Sequence, residues 1–290
     1  KDTPQNVNIK LFRQGAKDIR LNDTKISQKE LIGTLNTVIF CPEDLQLIKG
    51  TPSGRRRFLD MEISQTSATY YHQLMQYNRL LQQRNAVLKE YRGKNNIPLE
   101  EWDLQLADMA SFIVKKRLES LKKINLLIDL MNRKLTGGLE NLTIGYEQPY
   151  MDNGSLEYTK EGFYERIKAA LPQDRHRLST SVGPHRDDLR FFSDAMDLKK
   201  FGSQGQQRTA VLSLKLSELE FIKSEVGEYP VLLLDDVLSE LDESRRVNLL
   251  QFIHKRIQTF ITTTDIHDFK DLKSVQFISC EGGNVQYGQP

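Results

Sequence analysis

The chain has 290 residues, and its 41 Lys and Arg against 39 Asp and Glu leave a net charge of only +2. Any nucleic-acid partner must therefore be met by local patches rather than by a bulk positive field. With 38% hydrophobic and 28% charged residues it suits one large packed domain or two ordinary ones.

Further classes fall away on inspection. No apolar run approaches the ~20 residues that cross a bilayer, and no signal peptide is visible behind Lys1-Asp2-Thr3-Pro4. Cys41 and Cys280 lie far apart and form no metal-type pair, which favours reduced thiols and a cytoplasmic location without a membrane partner.

In chain order, residues 1–50 read as β-rich. Val7-Asn8-Ile9-Lys10-Leu11-Phe12 alternates apolar and polar side chains as a half-buried strand does, and a second strand is expected near 18–21 before a turn at Asn22-Asp23. Thr37-Val38-Ile39-Phe40, ended by Cys41-Pro42, suits a short buried strand. From Pro52 to about 136, apolar residues recur at three- and four-residue spacing, as in Leu74, Tyr77 and Leu81 and again in Leu106, Met109 and Ile113. These are long amphipathic helices, broken at 92–98 and stopped by Gly137-Gly138. Short strands near 141–146 and 155–159, a helix near 161–170 ended by Pro172 and a hairpin over 178–192 follow. The last third alternates strand and helix, the pattern of a parallel sheet with covering helices. The expected organisation is an α/β body over 1–50 and 176–290, interrupted by a mainly helical insertion over 51–175.

Two segments carry chemistry. Val231-Leu232-Leu233-Leu234 reads as a strand buried on both faces, and Asp235-Asp236 follow at its C-terminal end, where open α/β sheets bind ligands. One acid there suits a Mg²⁺ water shell and the other an attacking water; the plain alternative is a strand end with an Asx turn. Upstream, Phe201-Gly202-Ser203-Gln204-Gly205-Gln206-Gln207-Arg208 precedes a helix whose Leu212, Leu216, Leu219 and Ile222 make one apolar face. A Ser-x-Gly-Gln turn at a helix N-terminus offers a hydroxyl and free N–H groups to an anion, although Ser203 and Gly205 are also ordinary capping residues.

Order and spacing favour the first reading of both. The turn at 202–206, its helix, the acidic strand end, Ser239-Glu240-Leu241-Asp242 and a strand at Thr259–Thr263 resemble, in turn, the signature, Walker B, D-loop and switch strand of ABC-type ATPases. Within that class the chain resembles the RecF family. The resemblance is carried by Phe40-Cys41-Pro42-Glu43-Asp44-Leu45, Gly50-Thr51-Pro52-Ser53-Gly54-Arg55-Arg56-Arg57-Phe58-Leu59-Asp60, Gly183-Pro184-His185-Arg186-Asp187-Asp188 and Gly202–Thr209. It implies an ABC-type head of P-loop NTPase fold with an inserted helical arm. It also implies that Asp235 supports Mg²⁺ through water and that Asp236 positions the hydrolytic water. Ser203, Gln204, Gly205 and Gln206 would contact ATP held by a second subunit, Asp242 would touch that subunit, and Glu43 would stand beside the nucleotide. The implied activity is weak, DNA-stimulated ATP hydrolysis in an ATP-dependent homodimer. That dimer would clamp duplex DNA near single-strand gaps and, with RecR and RecO, load RecA in gap repair, fork maintenance and SOS induction.

There are departures from the family pattern. No Gly-x-x-x-x-Gly-Lys-[Ser/Thr] occurs in the sequence; Gly93-Lys94-Asn95 lacks the earlier Gly and the hydroxyl. The expectation is that this Walker A part of the head lies upstream, so that these residues alone do not hydrolyse ATP. The second acid is Asp where many relatives have Glu, which suggests slow hydrolysis. Pro42-Glu43 stand where relatives carry Gln, and Thr262-Thr263-Thr264-Asp265, with His267 beyond, replace the switch His.

For DNA, three adjacent guanidinium groups at Arg55, Arg56 and Arg57 cannot all enter a core, so at least one is available to a phosphate. Lys115, Lys116, Lys122 and Lys123 are a second candidate, with a solvated helix face as the alternative. Three other functions are weighed. A long coiled-coil (SMC-like) head is opposed by the break at Pro98. A nuclease using Asp235, Asp236 and Asp242 leaves the turn at 202–208 without a role. A DNA-binding module with a non-functional nucleotide site fits the missing phosphate loop.

Overall fold

The computed structural model describes residues 4–93, 97–138, 140–150, 158–264, 269 and 275–288. The N-terminal alternation produces three antiparallel strands, β1 (Val7–Leu11), β2 (Lys17–Leu21) and β3 (Thr24–Ile26). Asn22 and Asp23 join β2 to β3 with φ of +48° and +66°, the left-handed pair that a two-residue hairpin loop requires. Next, β4 (Thr37–Phe40) buries Val38 and Phe40 and leads through a 3-10 turn at Pro42–Leu45 into α1 (Gln46–Lys49).

The helical insertion comprises α2 (Pro52–Thr66), α3 (Ala68–Glu90) and α4 (Glu100–Thr136). Proline sits in the first turn of α2, where its missing N–H costs nothing. Ser67 separates α2 from α3: its backbone is extended and its hydroxyl accepts the N–H of Tyr70. Periodicity alone ran through this break. Helix α4 has 37 residues, roughly 55 Å, and ends at Gly137 with φ +69°.

After β5 (Leu142–Glu147) come α5 (Lys160–Ala169) and α6 (Leu171–Arg177). Pro172 does not stop a helix here; it lies in the first turn of α6. Residues 151–157, which include most of the strand expected near 155–159, lie outside the described residues. The hairpin expected over 178–192 does not form. Only β6 (Asp188–Ser193) is a long strand; it pairs with β5 on one side and β7 (Met196–Asp197) on the other. Then follow α7 (Leu198–Phe201), α8 (Gln204–Val226), β8 (Val231–Asp235), a 3-10 turn at Leu238–Glu240, α9 (Glu243–Ile253), β9 (Thr259–Thr262) and the hairpin β10 (Ile278–Glu281) to β11 (Asn284–Tyr287).

Strands β4, β8 and β9 form an all-parallel sheet with β8 in the centre. One face buries Val38, Phe40, Leu232 and Leu234. The other carries the cross-strand row Ile39–Leu233–Phe260, of which Ile39 and Phe260 are half exposed. Burial of β8 on both faces, expected from its apolar run, is thus realised on one face among the described residues.

Helix α8 departs from expectation in the opposite sense. It is buried all round, taking in Val211, Leu214 and Phe221 as well as the predicted stripe, because α4, α2 and β4 all pack on it. One buried apolar cluster runs from Val38 to Phe269 through insertion and sheet alike.

Two arginines sit inside this core. Arg117 of α4 gives two hydrogen bonds to the Asp60 carboxylate of α2, at 3.0 Å each. It also donates to the Pro184 carbonyl at 2.7 Å and to Asp187 at 3.4 Å. Tyr70 donates to Asp60, and Tyr146 of β5 to Asp187. Arg84 of α3 joins Asp103 of α4 and Asp174 of α6 at 2.6 Å each and Thr180 at 2.9 Å. Asp174 in turn accepts the N–H and hydroxyl of Ser181. Residues 178–187 are therefore held by side-chain bonds to remote helices instead of by a strand ladder. Removing one member of a buried ion pair strands its partner at a cost of about 3–5 kcal/mol. Arg117→Met is expected to lose stability of that order in urea unfolding, against about 0.5 kcal/mol or less for the exposed Lys122→Ala.

Candidate nucleotide-binding site

The long buried helix α8 opens at the surface. Ser203 is its N-cap: its hydroxyl accepts the N–H of Gln206 at 3.2 Å, and the Gln206 amide oxygen accepts the N–H of Ser203 at 3.0 Å. This reciprocal box leaves the first helical N–H groups, at Gln204 and Gly205, without an intrahelical acceptor, with the helix dipole behind them. Ser203, Gln204 and Gly205 are exposed. A side chain added at Gly205 would meet nothing nearer than the Ser203 hydroxyl at 3.9 Å, so the space over this terminus is open. Gln206 is more constrained. Its amide nitrogen donates to Glu140 at 3.0 Å, and the other oxygen of Glu140 accepts from Ser193 at 2.9 Å. Sequence reasoning missed Glu140, which joins the end of the insertion to this turn.

At the end of β8 the two acids are both exposed and share one partner. Thr262 of β9 donates its hydroxyl to Asp235 at 2.6 Å and accepts the N–H of Asp236 at 3.1 Å. Asp236 has φ +52°, a left-handed conformation that Asp tolerates better than most residues, and Ser239 donates to its carbonyl. Thr262 thus occupies the expected switch region as a clamp on the acidic pair; Asp265 and His267 lie outside the described residues, and Thr264 is exposed. Asp242 caps α9, accepting the N–H of Arg245 at 2.9 Å and pairing with its guanidinium. The N–H bond, then the guanidinium, hold its carboxyl below the usual range.

Glu43 is exposed on the turn after β4, and its neighbour Asp44 reaches inward. Lys215 of α8 lies 3.3 Å from Asp44 and 3.4 Å from Glu218, and Glu62 of α2 is buried with them. Three acids surround one ammonium. Burial pushes Glu62 up to about 7, with Asp44 adding and Lys215 opposing, and burial raises Glu218 as well. Burial pulls Lys215 down, but Glu218, Asp44 and Glu62 outweigh it and push it up to about 12. Sequence reasoning missed this cluster, because charges at 215 and 218 read as part of the wet face of an amphipathic helix. It joins the loop after β4, the arm helix α2 and the body of α8. A carboxyl whose folded pKa is raised stabilises the fold fully below its unfolded value, near 4.5, and loses that contribution as pH climbs toward 7. Glu62→Gln removes the penalty. Its stability relative to the parent is expected to rise by about 1–3 kcal/mol between pH 4.5 and pH 8, read from urea midpoints. A difference independent of pH would show Glu62 ionised throughout.

The basic candidates divide. Arg55 turns inward, giving two 2.8 Å hydrogen bonds to Asp188 and one to the Gly50 carbonyl, so its guanidinium is spent within the fold. Arg56 is half buried and donates to the Asp187 carbonyl, and Arg57 is exposed. On α4, Lys116 pairs with Glu119 and Lys123 with Glu225, while Lys115 and Lys122 are exposed. The segment Gly183–Asp188 acts in packing. Tyr77 and His185 share a 2.6 Å hydrogen bond, and burial, aided by nearby arginines, lowers His185 to about 4, which keeps it neutral. Among the described residues no helix is long and apolar enough to cross a membrane, and no cluster of three or more His, Cys, Asp or Glu is placed to hold a metal.

A parallel strand ending in paired acids, with a capped glycine-containing turn opening the helix before it, defines an ABC-type ATPase head. Comparison with known proteins narrows this. Over 270 residues the chain is 47% identical to the DNA replication and repair protein RecF of Alkaliphilus oremlandii (strain OhILAs), spanning 92% of this chain and 73% of that protein. With RecF of Clostridium botulinum (strain Eklund 17B / Type B) it shares 46% over 280 residues, 95% of this chain and 76% of that protein. The solved structure of the recombination mediator protein RecF-ATP in the RecFOR pathway matches 98% of this chain and 76% of that one, at 36% identity and a TM-score of 0.87. An Smc head bound to the C-winged helix domain of ScpA, at 13% identity and TM-score 0.51, shares the fold only. No protein-family model matches the chain. The chain belongs to the RecF family of DNA replication and repair proteins.

Proposed function

We propose that this protein is an ATP-controlled DNA clamp of the recombination-mediator type. The observation that carries the reading is the outward-facing, Ser203-capped start of α8, with the N–H groups of Gln204 and Gly205 free to meet an anion. The resemblance to ABC-type heads implies that the phosphate it meets is one presented by a second subunit. Asp235 and Asp236 fit the other half of the site: two exposed acids at one strand end, where Thr262 holds the Asp235 carboxylate and the Asp236 backbone N–H, one acid to carry a Mg²⁺ water shell and one to orient the hydrolytic water. When bound, Mg·ATP supplies the anhydride whose cleavage resets the clamp. Ser203 and Gly205 bind, Asp236 orients, and Thr262 holds both acids in place. Asp, a carbon shorter than Glu, is consistent with slow turnover. The phosphate-gripping Walker A loop has no counterpart in the 290 residues, so hydrolysis is assigned to the complete gene product.

Closure on ATP would draw two heads together, with Asp242 and Glu43 at the rim of the composite site. The arm, residues 51–175, would then offer Arg57, Lys115 and Lys122 to duplex phosphates; Arg55, bound to Asp188, is left out of this set. The solved relative's place in the RecFOR pathway supports RecR and RecO as partners and RecA loading at gaps as the outcome. Fork maintenance and SOS induction would follow, in the cytoplasm.

The test follows binding of the complete gene product to gapped duplex DNA with and without Mg·ATP. ATP is expected to tighten binding by about tenfold or more, within the usual 1–3 kcal/mol of coupling between sites. Ser203→Arg should abolish the gain and Asp236→Asn should prolong it. Binding indifferent to ATP and to Ser203→Arg would make the protein a passive DNA platform.

A further inference from the structure

A cavity of about 550 Å³ lies in the groove between α2 and α3, within the size range of small-ligand sites. It is polarised. In the second turn of α2, Arg56 and Arg57 line it. One turn further, Met61 is 52% exposed, and across the groove Met75 is 40% exposed, beside Leu74 and Tyr71. Large apolar side chains left open inside a concavity mark a binding surface.

The charges around it do not balance. Arg117, at the back, is committed to Asp60, the acid that lines the cavity. Arg56 makes a single hydrogen bond, to a backbone carbonyl; burial, then Arg117, lowers its pKa against the opposing pull of Asp188, Asp187 and Asp60. Arg57 is exposed and has no ion pair among the described residues. The cavity therefore asks for a ligand that is anionic at one end and flat or apolar at the other. Four residues of α2, roughly 6 Å, separate Arg57 from Met61, a span comparable to that between the phosphate and base of one nucleotide. On α3 the apolar lining runs from Tyr71 through Leu74 and Met75 to Tyr77, roughly 9 Å, a length that accommodates one base. Asn78 in its lining can meet the polar edge of a base, as can the amide nitrogen of Gln65, whose oxygen accepts the N–H of Thr37.

We propose that the α2/α3 groove is a single-nucleotide site, which takes one unstacked base of a DNA strand between Met61, Met75 and Tyr71 and its phosphate on Arg56 and Arg57. The proposal rests on the DNA-binding reading and deepens it: the arm would hold a flipped-out or single-stranded nucleotide, where the lysines of α4 meet only backbone. Stacking and phosphate contact act together, so affinity for single strands should fall steeply with salt.

The experiment cross-links a 5-iodouracil-substituted oligothymidylate to the protein and measures its binding by anisotropy, beside a duplex of the same length. Arg57→Glu and Met61→Glu are compared with the parent and with Lys122→Glu; both groove positions are exposed, and thermal melts verify that the variants fold. Cross-links should map within residues 53–78; Met61→Glu should weaken the single strand by about tenfold while changing duplex binding by less than about threefold, and Arg57→Glu, which also removes a duplex phosphate contact, should weaken both. A single strand that binds the variants as it binds the parent, or that cross-links elsewhere, overturns the proposal. So does capture of an acidic amphipathic peptide in the groove in place of the oligomer. Duplex binding without single-strand binding sinks the groove site and leaves the DNA reading intact; binding of neither, with Mg·ATP present or absent, sinks both.

Discussion

Charge without solvent is the constraint on which this structure rests. Arg84, Arg117 and Lys215 lie inside the protein, and each must be surrounded by acids brought from distant parts of the chain. Desolvating an ion is costly unless its hydrogen bonds are met, so Arg84 fixes α3 against α4 and α6, and Arg117 and Lys215 fix the insertion against the rest of the fold. Arg117 ties α4 to α2 and to the loop at 184–187, while Lys215 ties α8 to α2 and to the turn after β4. An apolar interface of the same area would permit sliding, whereas directional ion pairs give one register.

This arrangement bears on the site. The segments that carry the ABC resemblance are surface features, and two of them, the signature turn and the turn after β4, are rooted in the buried network. The signature turn caps a helix that holds Lys215, and Glu43 precedes Asp44, one of that lysine's acids. Glu140 links the insertion's end to Gln206. A shift at any of these positions must either move the others or break a buried pair.

Features decided by neighbouring residues were legible in the sequence. The Asn22-Asp23 turn, the Ser203 cap, the stop at Gly227 with φ +95° and the acidic end of β8 all depend on a few adjacent positions. Features decided at long range were not. Arg55 looked available for phosphate because its acid, Asp188, lies 133 residues away. A hairpin was expected over 178–192, but Arg84 and Arg117 claim polar groups of 178–187 for α3 and α4. Helix α8 showed one apolar face in sequence because buried Ser213, Lys215, Ser217 and Glu218 look like a wet one. Composition cannot separate a polar residue that is solvated from one satisfied inside.

The central claim is that insertion and sheet are a single cooperative unit joined by these buried charges. Differential scanning calorimetry at neutral pH tests it most directly. The account predicts one transition in which calorimetric and van't Hoff enthalpies agree, the mark of two-state unfolding. Two resolved transitions, one for the helices of 51–175 and one for the remainder, would contradict it and reduce the buried ion pairs to local ornaments on separable domains.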